Sequence, residues 1–303
     1  MARIAVIVLA YDRPQLLTEA LQSVARQTRA PSEVIVIDDC SPQPLEPAVS
    51  IPAAFPLRFV RQATNQGPAC AARRGLEETD AEMIAFLNDD DLWEPGFLER
   101  LGAELDAHPE AAVAFCDHGV IDATGTPDRA HGDRMTAKFK RDRLPGGLVE
   151  DLPRVALIDQ AMAGASFSVT RRRELDPRII ASGGEVWDYF VCLCACRSGR
   201  PGVYVNQRLG DYRLSPGGVT ANWADPQRRV AATARRIAAA RLIVRSPGLR
   251  SIQREQRRLV WTMSLRGVVL SLQTRSFSGA CRGITQIAQA IWAPLREGAA
   301  CEK

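Results

Sequence analysis

Three consecutive carboxylates, Asp89-Asp90-Asp91, stand one residue beyond the apolar run Met83-Ile84-Ala85-Phe86-Leu87, with Asn88 between. Like charges this close resist ionising together, so the cluster costs stability unless a cation neutralises it. Oxygen-only donors in that arrangement suit Mg²⁺ or Mn²⁺. A competing structural reading is a solvated acidic turn that caps the helix beginning near Trp93-Glu94-Pro95-Gly96. A second acidic pair, Asp38-Asp39, ends the run Glu33-Val34-Ile35-Val36-Ile37. Glu185 and Asp188 stand at the start of a late helix, where acids complement the dipole even without chemistry to do.

The elements around these acids are expected to alternate. Residues 3–10, rich in Ile and Val, form a strand buried on both faces. Asp12 is expected to cap the following helix, with Gln15 as its reciprocal partner and Pro14 in the first turn. Strands over 33–37, 57–61 and 83–87 and a helix over 69–78 follow, then a fifth strand over 112–116. This alternation predicts an α/β fold with a parallel sheet covered by helices. In such sheets ligands bind beyond the carboxyl ends of the strands, so Tyr11, Asp39 and Asp90 are expected to meet in one crevice. Residues 117–155 mix Gly, Pro and charge and predict irregular loops, a flap on the acceptor side of the crevice. A strand resumes over 164–170, a helix opens at Gly184, and three helical patterns cover roughly 227–245, 251–273 and 277–292.

Composition narrows the class. At 303 residues, 46% hydrophobic and 24% charged, the chain is an ordinary globular protein. No stretch approaches the ~18 to 20 apolar residues of a membrane span, and residues 1–10 predict a strand and not a signal peptide. The eight cysteines lack the spacing of a zinc site, and reduced thiols in a cytoplasmic protein are expected. Cys192 and Cys196, one helical turn apart, predict small apolar packing groups. His118 and His131 have no ligand spacing and read as surface residues. Trp187 predicts core packing, while Trp223 is a candidate for stacking on a sugar. The net charge of +4 is uneven: residues 226–303 carry +12 and the remainder −8. A basic segment of this kind meets either nucleic acid or an anionic membrane surface. No base-reading module accompanies it, so nucleic acid is not expected as a partner.

Several ordered motifs together resemble the family 2 glycosyltransferases. They are residues 6–14 with their Tyr11-Asp12-Arg13-Pro14 turn, Asp38-Asp39-Cys40-Ser41, the segment Asn65-Gln66-Gly67 through Ala72-Arg73, and Asn88-Asp89-Asp90-Asp91. The resemblance covers roughly residues 1–220. It implies the nucleotide-sugar-binding GT-A fold, with a mostly parallel central sheet flanked by helices. Residues 1–224 would form that catalytic domain and 225–303 a helical, basic appendage. The implied activity is transfer of a sugar, with inversion, from a nucleoside-diphosphate-sugar donor to a glycan or lipid-linked glycan acceptor in cell-surface polysaccharide synthesis.

By the same resemblance Asp90, with Asp91 or Asp89 through water, holds Mg²⁺ or Mn²⁺ against the diphosphate. Asp39 accepts a hydrogen bond from the nucleobase, Ala10 and Tyr11 line its pocket, and Arg73 contacts the nucleotide. Arg213, in the Tyr212-Arg213 segment before Pro216-Gly217-Gly218, belongs to a loop that closes on the diphosphate. The family's catalytic base is the Asp of a Glu-Asp pair, and here Val186 stands at that Asp position. Valine takes no proton, so Glu185 is the expected base and Asp188 the alternative. Val186 also motivates a non-catalytic nucleotide-sugar-binding protein as a competing function. A sugar nucleotidyltransferase is a weaker one, because the first turn lacks a Gly-rich phosphate loop. The basic appendage implies a cytoplasmic protein, peripheral on the inner membrane face.

Overall fold

The computed structural model describes residues 1–49, 51, 55–162, 165–215 and 226–256. In chain order the main elements are β1 (Ile4–Ala10), α1 (Pro14–Ala25), β2 (Glu33–Asp38), β3 (Leu57–Arg61), α2 (Pro68–Glu77), β4 (Met83–Asn88), β5 (Leu92–Trp93) and α3 (Phe97–Ala107). They continue as β6 (Val113–Ile121), α4 (Arg129–Lys138), β7 (Gly147–Val149), β8 (Ser168–Arg171), α5 (Pro177–Ala181), α6 (Trp187–Cys196), β9 (Gly202–Arg213) and α7 (Pro226–Arg245). One sheet runs in the order β3-β2-β1-β4-β8-β6-β9-β5, with β7 on β9. Its first four strands are parallel, β8 runs against both β4 and β6, and β6 is parallel to β9.

All seven residues of β1 are buried, as a strand covered on both faces requires. Val6 and Val8 pack with Leu17 and Leu21 of α1 and Leu98 and Leu101 of α3. Ile7 faces the other way, among Ala72 and Leu76 of α2, Phe86 and Trp187. There α2 approaches closely, and a Cβ on Gly75 would lie 2.3 Å from Ile7. A third cluster joins Phe115 and Tyr204 to Phe190 and Leu193 of α6 and Ala232, Ala239 and Ile243 of α7. Cys192 and Cys196 pack inside it, as their spacing predicts, and burial pushes both thiols up.

Several local expectations are corrected. Asp12 does not cap α1: Arg13 is the N-cap residue, without a side-chain cap bond. Asp12 instead takes a left-handed conformation, φ 52°, and its N–H donates to Ser41 Oγ at 2.9 Å. The fifth strand does not stop at residue 116 but continues as β6 to Ile121, because Arg141 covers the polar Asp117 and His118. His118 is therefore buried and not a surface residue. The stretch 117–155 is not irregular, since Asp128 caps α4 by accepting the His131 N–H at 2.9 Å and β7 follows. Residues 165–167 form a 3-10 turn, and the strand begins at Ser168. Trp223, the Gly217-Gly218 loop and the helical patterns beyond residue 256 lie outside the described residues.

Candidate nucleotide-sugar site

The carboxyl ends of β1, β2 and β4 lie side by side and bring Tyr11, Asp39 and the triplet together. The Asp39 N–H donates to Ala10 O at 3.0 Å and the Asp89 N–H to Leu9 O at 3.1 Å. The Tyr11 N–H donates to Asp89 Oδ2 at 3.1 Å. Ala10 is buried, whereas the Tyr11 ring is exposed at the rim. Asp12 and Cys40, both with positive φ, end β1 and β2 next to each other. Non-glycine residues held there cost free energy and cluster at ligand sites.

Adjacent in sequence, the three acids occupy different surroundings. Asp89 is buried and receives the Arg13 guanidinium through Nη2 and, at 3.3 Å, through Nε. Asp90 is the outward member, its side chain 14% exposed and bonded to Arg13 Nη1 at 2.6 Å. Asp91 turns inward, accepting from Asn88 Nδ2 at 3.0 Å and from the Arg213 N–H at 3.2 Å. Burial pushes Asp89 and Asp91 each up to about 7. The charge of Asp90 raises both further, while Arg13 opposes the shift at Asp89 and Ser166 at Asp91.

Asp39 is anchored by three donors. Oδ1 accepts from Gln62 Nε2 at 2.6 Å and the Gln66 N–H at 2.9 Å, and Oδ2 from the Gly67 N–H at 2.7 Å. A carboxylate oxygen takes two such bonds, so Oδ2 keeps one acceptor position for a ligand. Burial raises the Asp39 pKa against these donors. Gly67 has φ 82°, and a Cβ there would meet nothing within 4 Å, so the entrance to α2 is unobstructed.

The remaining candidates are scattered more widely. Arg73 lies on α2, 3.6 Å from Glu77, and its Nε is buried without a hydrogen-bond partner. Arg213 is a buried staple and not a residue of a closing loop. It donates from Nε to Asp90 O at 2.9 Å, from Nη1 to Ala123 O at 3.4 Å and from Nη2 to Glu19 at 2.6 Å. A buried guanidinium has to be satisfied on every side, and this one holds the carboxylate turn in place. Glu185 sits in a 3-10 turn, Gly184–Val186, and its charge acts on Arg235 of α7. Asp188 is half-buried, accepts the Tyr189 N–H at 2.8 Å and feels Arg236; burial raises its pKa. Val186 is buried beside Phe190. Glu185 and Asp188 thus each interact with an arginine of α7.

Arg13 is the site residue that sequence reasoning overlooked. The signal was present as three acids needing a cation, with an arginine in the turn after the neighbouring strand. For a divalent ion, no three His, Cys, Asp or Glu side chains converge among the described residues. The donor set fits a cation held by Asp90 and completed by phosphate oxygens and water, as Mg²⁺ commonly is. Asp91 is committed to Asn88 and Arg213 and lies behind that position.

The chain is similar to known proteins in sequence and in fold. The family model described as "Glycosyl transferase family 2" matches residues 5–171. YwdF of Bacillus subtilis, an uncharacterized glycosyltransferase, is 28% identical over 37% of this chain and 42% of its own, so the chain spans less than half of that relative. The succinoglycan biosynthesis protein ExoW of Rhizobium meliloti is 36% identical over 32% of each chain. TuaG of Bacillus subtilis, a putative teichuronic acid biosynthesis glycosyltransferase, is 27% identical over 72% of this chain and 82% of its own. Among solved structures, S. aureus TarS 1-349 in complex with UDP-GlcNAc superposes with a TM-score of 0.69 at 17% identity, over 95% of this chain and 81% of that one. The likeness extends the sequence match to the fold, which is GT-A, and with the match over more than half its length the chain belongs to glycosyl transferase family 2.

Proposed function

We propose that this protein transfers a sugar, with inversion, from a nucleoside-diphosphate-sugar to a glycan or lipid-linked glycan in cell-surface polysaccharide biosynthesis. The supporting observation is Asp90: one outward carboxylate at the ends of β1 and β4, neutralised only by Arg13 among the described residues, which is itself 35% exposed. A divalent cation on Asp90 would neutralise the departing diphosphate. The neighbouring residues supply binding. Asp39 offers its remaining acceptor position to the nucleobase, Ala10 and Tyr11 line the base, and Arg73, ion-paired with Glu77 at 3.6 Å, contacts the nucleotide. Asp89 holds the Tyr11 backbone and Arg13, and Arg213 holds the turn that carries Asp90.

Deprotonation of the acceptor hydroxyl falls to Glu185, next to the buried Val186, with Asp188 turned toward Arg236. Val186 also favours a second reading, a binding protein without turnover. Polysaccharide relatives and the solved PcManGT in complex with GDP-Man and Mn2+ support the donor and cation classes by similarity. Among the described residues no helix is long and apolar enough to cross a membrane. Residues 1–224 form the catalytic domain in this proposal. The basic residues beyond them hold the protein on the cytoplasmic face of the membrane.

The test is donor binding and turnover with Mn²⁺. UDP, GDP and dTDP sugars are screened by thermal shift, since a ligand selective for the folded state raises its stability. The selected donor is then followed for hydrolysis and transfer. Asp90→Ala is expected to lose about 10²- to 10³-fold in turnover, the usual effect of removing charge stabilisation. Glu185→Ala is expected to retain donor binding and lose transfer. No shift with any sugar nucleotide would sink the reading; binding without turnover in the wild type would establish the non-catalytic one.

A further inference from the structure

Behind the carboxylate turn, between α4, β6 and the β5–β9 pair, lies a cavity of about 170 Å³ that the donor site does not use. Its wall includes Glu94, Gly119, Arg129, Gly132, Arg208 and Asp211. Gly119 leaves the room: a Cβ there would stand 2.2 Å from Asp211 Oδ1. Arg208 is already engaged, donating to Asp117 at 3.2 Å and to Asp133 at 2.7 Å. Asp211 is different. No hydrogen-bond donor among the described residues reaches its carboxylate, although burial, followed by the charge of Glu94, raises its pKa.

The Asp211 oxygens reach solvent and, with Arg208 and Arg213 acting only through their charge, keep their acceptor positions for water or for a ligand's hydroxyl or amide hydrogens. Glu94 and Asp211 share the wall with Arg129 and Arg208, so its formal charge is balanced and suits a neutral ligand, and the small volume suits a single ring. The cavity is also linked to the turn. Asp211 pairs with Leu92, one residue past Asp91, and two residues further along β9 Arg213 binds Asp90 O at 2.9 Å. We infer that this cavity is a subsite for one neutral sugar residue of the acceptor, held by Asp211 with Glu94 at its edge. The inference rests on the glycosyl-transfer reading.

Saturation-transfer NMR on the full chain tests it, with methyl glucoside, methyl galactoside, methyl mannoside and N-acetylglucosamine as neutral probes and glucuronate as the anionic one. At least one neutral probe is expected to bind the wild type more tightly than glucuronate. Its affinity should fall about tenfold in Asp211→Ala, the loss of a hydrogen bond to a charged group. Asp211→Asn, which keeps the shape, guards against a folding defect and should show an intermediate loss. Sugar-nucleotide thermal shifts are recorded on the same samples and should be unchanged by either variant. Binding of no neutral probe to the wild type, or equal affinity in all three proteins, overturns the subsite. With donor shifts retained, that outcome leaves the transferase reading standing; absent donor shifts count against the transferase reading itself.

Discussion

The clusters around Arg141 and Arg13 each pair an arginine with a buried acid, and they differ in who can reach the arginine. Arg141 is fully buried, bonded through Nε to Asp117 at 2.5 Å and through Nη2 to His118 Nε2 at 3.3 Å. Asp117 also accepts from the Thr136 hydroxyl at 2.8 Å and Arg208 at 3.2 Å. Arg13 is 35% exposed, and Asp90 depends on it alone among the described residues. Charge neutralised inside a closed network locks β6, α4 and β9 together. Charge neutralised by a surface arginine can be handed to another cation, which is what a metal-diphosphate site needs.

The proton affinities separate the clusters further. Burial pushes Asp117 up, but the Arg141 charge and the Thr136 bond outweigh it, and its pKa lies below the ordinary value. Removing Arg141 takes away the largest effect that opposes burial and leaves the buried Asp117 with only Arg208 and the Thr136 hydroxyl. Arg141→Met is expected to cost about 3–5 kcal/mol, the usual result of breaking a buried pair by removing one partner. Urea unfolding measures this as a fall in the transition midpoint. An unchanged midpoint would show that the network is not the lock described above. Arg141→Met combined with Asp117→Asn should recover part of the loss, because the acid left without its arginine is gone.

Much of this contrast could not be read from the chain. The parallel half of the sheet was legible, since β1, β2 and β4 are continuous apolar runs that suit strands covered on both faces. The meeting of Tyr11, Asp39 and Asp90 followed from that topology. The closed network was not legible. Asp117 and His118 resemble the start of a loop, and only Arg141, 24 residues later, makes them strand. The helix α4 has no apolar stripe to announce it; its one buried residue is Gly132. Within the triplet, sequence could not tell inward from outward, because Asp91 is turned by Arg213, 122 residues away. Arg213 itself resembles part of a closing loop because its burial depends on Glu19 and Ala123, which come from elsewhere in the fold.

His118 offers a finer test of the closed network. Burial, reinforced by the Arg141 charge, pushes its pKa down to about 4. Its Nδ1 lies 2.9 Å from Gly119 O and its Nε2 faces Arg141, so the neutral ring donates to the carbonyl and accepts from the guanidinium. The folded state thus binds fewer protons than the unfolded chain between that pKa and the ordinary ~6.5. Stability from this residue is fully present above pH ~6.5 and is lost as pH falls toward the folded value, by on the order of 3 kcal/mol. His118→Gln should flatten the stability-pH curve over that window, measured by urea unfolding at intervals from pH 4 to 7. A slope as steep as the wild type's would assign the acid sensitivity to other groups.

Arg13→Met probes the open cluster and should have the smallest effect on stability. Asp89 would lose its principal cation, yet burial already holds its pKa at about 7, so near neutral pH it can take up a proton and shed the stranded charge. Asp90 reaches solvent, which can take the place of its partner. The arginine's exposure further screens what the pair contributes. The expected cost is therefore about 1–2 kcal/mol, well below that of Arg141→Met, because protonation caps the penalty of an unpaired acid. The same variant should bind Mn²⁺ alone more tightly, as followed by the loss of the free-ion EPR signal, because no guanidinium then competes for Asp90. A cost equal to that of Arg141→Met, with Mn²⁺ affinity unchanged, would mean that Arg13 is another closed lock and that the two clusters do the same work.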